Sequence, residues 1–168
     1  MPELSAVAAR RAGGERVLLC VVDDSEELRV ALEYAALRSK RTGSRVALVY
    51  VIDLGGAQFQ HWTSVADLMR EEARTEAEQV IGRAATQVQR WSGKMPILYI
   101  REGVRSDEVL SLVQEDPSIS ILVLAANTGP QGPGPLVTAL TQKAVSQLAV
   151  PVVIVPGNLS DEDIEALA

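Results

Sequence analysis

The chain of 168 residues has one cysteine, one histidine and one phenylalanine, and each shortage closes off a class of function. A single thiol, Cys20, cannot form an internal disulfide, and its place in the apolar run VLLCVV marks a small core residue rather than a nucleophile. The lone His61 has no cysteine or carboxylate partners at ligand spacing, so neither a metal site nor a histidine-activated nucleophile is expected. Positive charge is also short: 16 Lys and Arg against 22 Asp and Glu leave a formal net charge of −6. That balance gives no general attraction to nucleic acid or to an anionic membrane. Every apolar run falls well short of the ~20 residues a membrane span needs. The amino-terminal AVAARRAGGER has no secretory apolar core. A soluble cytoplasmic protein with neither nucleic acid nor membrane as partner is the expectation.

What is present is an ordinary globular composition, 47% hydrophobic and 23% charged, which fits one domain. Residues 1–15 lack periodicity and read as a frayed tail, 16–157 as the domain, and 158–168 as an acidic tail or short helix. The domain is organised around Ile119 to Val155. There a buried strand (Ile119 to Leu124) leads through a turn-rich loop to a helix of about a dozen residues (Val137 to Leu148) and a second buried strand (Val152 to Val155). Such continuous apolar strands predict a sheet covered on both faces.

The same grammar runs through the rest. Val17 to Val22 reads as a buried strand, followed by a helix that Ser25 caps and Gly43 ends, with Leu28, Ala31, Leu32 and Ala35 inward. Arg45 to Ile52 is the next strand. A loop follows from Leu54 to Thr63, carrying Phe59 and Trp62 either as a local cluster or as a partner site. A long amphipathic helix spans Ser64 to Ser92, with Val65, Met69, Ala73, Ala77, Val80, Ile81, Ala84, Val88 and Trp91 on its apolar stripe. Met95 to Ile100 is a strand closed by Gly103, and Ser106-Asp107-Glu108 opens a helix with Val109, Leu112 and Val113 toward the sheet. In the tail, Ser160 and an acidic first turn start a short helix docking by Leu159, Ile164 and Leu167. The alternation predicts an α/β fold: a doubly wound, five-stranded parallel sheet, Rossmann-like, with helices on both faces. Ligands of such sheets bind outside the carboxyl ends of the strands.

These residues resemble the universal stress protein family. VLLCVVDDSEELRVALEYA resembles its opening strand, the Asp at the strand end and a Ser-started helix; LVYVID resembles its second strand; IREG, SILVLAANT and PVVIVPG match later strands in order and spacing. The resemblance implies a small stress-response binding or signalling module rather than an enzyme. It also implies a homodimer paired through the Val152–Val155 edge strand, with a protein client as a further partner, and a site for ATP or AMP. Relatives that bind ATP carry G-x-x-G-x9-G-S/T between the last two strands. Here the four defining positions hold Ala125, Thr128, Thr138 and Ala139, none of them glycine. The motif is therefore degenerate. Glycines let backbone N–H groups approach phosphate, and Pro130, Pro133 and Pro135 remove further donors. Asp23 matches the residue that contacts the nucleoside, and Val51 the one whose backbone meets adenine. The implied nucleotide-binding set is Val22, Asp23, Val51, Ala125, Asn127, Thr128, Thr138, Ala139 and Leu140, with Gly129, Gly132, Gly134 and Thr141 nearby.

Two other readings stay open. VVDDSEELR also resembles the first strand of receiver domains, with Asp23 and Asp24 as a magnesium-binding pair and Asp53 as phospho-acceptor, although receivers place that acceptor on the third strand and carry a Lys absent here. A protein-interaction module that binds no nucleotide is the other.

Overall fold

The computed structural model describes residues 14–53 and 63–168. The loop holding Phe59, His61 and Trp62 and most of the expected tail thus lie outside the described residues. Strand β1 (Val17–Val22) leads to α1 (Leu28–Thr42), β2 (Arg45–Ile52) and the 30-residue α2 (Thr63–Ser92). Then come β3 (Ile97–Glu102), α3 (Arg105–Glu115), β4 (Ile119–Ala126), α4 (Pro135–Thr138), β5 (Val152–Pro156) and α5 (Asp161–Leu167).

The five strands are parallel, in the order β3-β2-β1-β4-β5. Alternate side chains of β1 feed two cores. Val17, Leu19 and Val21 pack with α3 and with Val137 and Leu140, whereas Leu18, Cys20 and Val22 pack under α1, α2 and Ile164 of α5. The doubly wound fold expected from alternation is thus present. One irregularity escapes sequence parity: Val17 pairs with Ile119 but Leu18 with Ile121, so Ser120 is an extra residue in β4. Ile119 and Leu122 consequently share a face although they stand three positions apart, a spacing that puts side chains on opposite faces of a regular strand.

Several local expectations are corrected. Ser25 does not cap α1. The residue preceding that helix is Glu27, without a side-chain cap, because Ser25 spends both its amide (2.9 Å) and its hydroxyl (2.6 Å) on Asp23 Oδ1. Helix α3 begins one residue before Ser106, after an extended Val104. Val65 and Met69 of α2 are exposed rather than inward. The helix is ~45 Å long at 1.5 Å per residue, whereas even β2 spans only ~26 Å, so the first turns of α2 overhang the sheet. Leu167 is 60% exposed; Ile164 and Ala168 carry the docking of α5, whose capping box joins Ser160 to Asp163.

The largest correction concerns the helix expected over Val137 to Leu148. Only Pro135–Thr138 is α-helical; a π turn follows over Ala139–Lys143 and a 3₁₀ turn over Val145–Gln147. Thr138 Oγ1 donates to the Gly134 carbonyl (2.9 Å) and Thr141 Oγ1 to that of Val137 (2.7 Å), in competition with the helical ladder. The Ala144 amide reaches back five residues to Ala139 instead.

Candidate functional site

Sheet order fixes where to look. From β1 the chain winds outward through β2 and β3, then returns to place β4 on the other side of β1, so the winding reverses between β1 and β4. Helices depart to opposite faces there and leave a crevice above the strand tips. A cavity of about 300 Å³ occupies that crevice, lined on the β1 side by Asp23, Ser25 and Glu27 and on the β4 side by Ala125, Asn127 and the segment 131–137. A second cavity of about 310 Å³ lies toward β2 and β3, against Asp53, Val104, Ser106 and Ala139. Arg105, Pro135 and Leu136 border both.

The loop above β4 holds itself in shape. Asn127 donates its amide to the Pro133 carbonyl (3.2 Å) and accepts the Gly129 amide on Oδ1 (2.6 Å); Gly132 donates to Gly129 (3.3 Å). Gly134, at φ 108° and ψ 159°, leads directly into Pro135 in a conformation that a side chain would strain. The amide and the hydroxyl of Thr138 both return to the Gly134 carbonyl. With four α-helical residues behind it, the loop also lacks the long aligned dipole that favours an anion at a helix start.

Of the residues expected at the site, Asp23, Ala125 and Asn127 line the first cavity and Ala139 the second. Val22, Val51 and Leu140 are core residues beneath them. Thr128 is exposed, and Thr138 is half-buried with its hydroxyl committed to the backbone. Arg105 was not singled out from the sequence. It is the first cation beyond the carboxyl end of β3, two residues after Gly103, but nothing in the sequence separates it from an ordinary arginine at a helix start. Its Nε is buried and makes no hydrogen bond among the described residues.

Electrostatics around the tips are mixed. Burial raises the Tyr50 hydroxyl above its ordinary value; the charges of Glu76 and Asp24 add to this, and Arg105 opposes it. Burial pushes the Cys20 thiol up to about 12, with Asp23 contributing, so the thiol stays protonated and inert. Among the described residues no cluster of three or more His, Cys, Asp or Glu is arranged to hold a metal ion, and no helix is long and apolar enough to cross a membrane. The receiver arrangement is disfavoured by topology: β1 is flanked by β2 and β4, whereas receivers place their third strand beside the first.

Comparison with known proteins agrees with this geometry. No curated protein is significantly similar in sequence. Among solved structures, the universal stress protein UspA from Lactobacillus plantarum superposes with a TM-score of 0.71 at 17% identity, over 85% of this chain and 99% of that one. A universal stress protein in complex with cAMP gives 0.53 at 13% identity, over 87% and 100% of the two chains. The universal stress protein from Archaeoglobus fulgidus in complex with dAMP gives 0.50 at 13%, over 84% and 98%. These likenesses establish the fold. The sequence profile of the universal stress protein family matches residues 15–156, and with the doubly wound sheet and the crevice at its winding reversal, the chain belongs to the universal stress protein family.

Proposed function

We propose that this universal stress protein is a cytoplasmic adenine-nucleotide-binding module that acts by changing its interactions when occupied, not by catalysis. The observation that carries the reading is the cavity between Asp23 and segment 131–137, at the one place in the sheet where the winding reverses. The neighbouring cavity, walled by Val104, Leu136 and Ala139, offers apolar surface for a planar base. In this reading Asp23, on the cavity wall, accepts from ribose hydroxyls. The cAMP and dAMP complexes of proteins with this fold support the assignment. A homodimer through the β5 edge is part of the proposal: β5 is an outer strand with Ile154 exposed, and Pro151 and Pro156 bracket the length available for pairing.

A second reading is favoured by the internal bonding of the loop amides, which leaves few donors for phosphate. It is an interaction module with an unoccupied crevice. Mass spectrometry of material released by denaturing the purified protein, with calorimetric titration of adenosine, AMP and ATP with magnesium, separates the two. Bound adenine nucleotide supports the first reading. No released nucleotide and no heat or thermal shift at millimolar ligand selects the second.

A further inference from the structure

Arg101 and Arg105 stand four residues apart where β3 gives way to α3, and their surroundings differ sharply. Arg101 donates to Glu115 and lies 3.9 Å from Glu108. Arg105 has no such partner among the described residues: its Nε is buried without a hydrogen bond, and no ion pair or other hydrogen bond there ends on its guanidinium. It nevertheless borders both cavities. A guanidinium held at the junction of two cavities with a buried donor unused is an incomplete interaction, because a buried N–H without an acceptor costs ~1–3 kcal/mol.

We propose that Arg105 is the anion-holding residue of this site, that it binds the phosphate of an adenosine carrying a single phosphate group, and that the site therefore disfavours triphosphates; the proposal rests on the adenine-nucleotide reading above. Three observations limit the site to one phosphate. The loop amides of Asn127, Gly129 and Gly132 are committed to the loop itself, as are both donors of Thr138. Pro133 and Pro135, on the cavity wall, have no amide hydrogen to offer. Asp23 and Glu27 line the same cavity, so every added phosphate meets carboxylate charge, and among the described residues that line it no cation besides Arg105 offsets that charge. One fork of N–H donors matches one phosphate in bidentate geometry.

The test is isothermal titration of the full chain with adenosine, AMP, cyclic AMP and ATP, with and without magnesium, for the natural protein, Arg105→Gln and Arg105→Lys. AMP or cyclic AMP is expected to bind roughly tenfold to a hundredfold more tightly than adenosine, the worth of a charge-assisted hydrogen bond. ATP should bind no more tightly than the better monophosphate. Arg105→Gln should bring the monophosphates to the level of adenosine while leaving adenosine unchanged, and Arg105→Lys should keep part of the difference. Which monophosphate leads identifies a diester or a terminal phosphate as the group held. If Arg105→Gln does not fold, Arg105→Lys alone must lower monophosphate affinity at constant adenosine affinity. A monophosphate-to-adenosine ratio untouched by either variant, or ATP binding most tightly in all three proteins, overturns the role of Arg105 and leaves the nucleotide reading standing. If none of the four compounds binds, both fall.

Discussion

The turn after β1 and the loop after β4 face each other across one cavity and are built in opposite ways. After β1, a single carboxylate, Asp23, gathers the amide and hydroxyl of Ser25, and a regular helix of 15 residues follows, ended by Gly43 in a left-handed conformation. After β4, prolines and glycines shape a longer loop, and the helix it enters loses its regular ladder after four residues. One wall of the site is thus determined by bonds between near neighbours in sequence. The other relies on what lies beneath it, chiefly Val137 and Leu140 in the core.

If that contrast holds, Leu140→Ala should have the largest effect. The side chain is fully buried and anchors the irregular segment, so its loss should cost about 2–5 kcal/mol in denaturant unfolding, with hydrogen exchange accelerated across residues 135–148 before the rest. Equal acceleration in α1 would dissolve the distinction between the two walls. Gly134→Ala comes next, at about 1–3 kcal/mol, since φ 108° with ψ 159° is open to glycine almost alone. Asp23→Ala should cost about 1 kcal/mol, the net worth of the hydrogen bonds it gathers, and leave the helicity of α1 unchanged. A marked loss of helix would mean that this turn is no more self-sufficient than the opposing loop.

The smallest effect probes α1 itself. Glu33 is buried, and its Oε2 makes no hydrogen bond although Arg29 lies 3.4 Å away. Burial raises its carboxyl above the ordinary value, Asp161 adds to this, and Arg29 opposes it. A carboxyl that binds its proton more tightly in the folded state leaves stability undiminished below its unfolded value. Stability then declines as pH rises from the ordinary carboxylate value through the raised one. Glu33→Gln removes that decline, so it should gain less than about 1 kcal/mol at neutral pH and nothing near pH 3, measured by unfolding at both.

Elements whose signals are local were readable before any coordinates. The run Val17 to Val22, the stop at Gly43 and the Ser160 cap all appear where apolar continuity, a left-handed glycine and a capping box put them. At the site, the meeting of the β1 tip and the loop after β4 across one cavity was readable for the same reason. Arg105 was not, because an arginine at a helix start is ordinary until one knows that its Nε has no partner and that two cavities open on it. Nor was the spending of Ser25 on Asp23, since capping and turn formation use the same residue types.

The alternation of strand and helix, the composition of the strands and the prolines of the loop were settled by the amino-acid order alone, because they depend on neighbours a few positions apart. The placement of β4 beside β1, the extra residue at Ser120 and the breaking of the helix after Thr138 were decided only in three dimensions. So was the buried Nε of Arg105, left without a hydrogen bond among the described residues. Each of these turns on which distant groups compete for the same volume or the same hydrogen bond, and no short window of sequence contains both competitors.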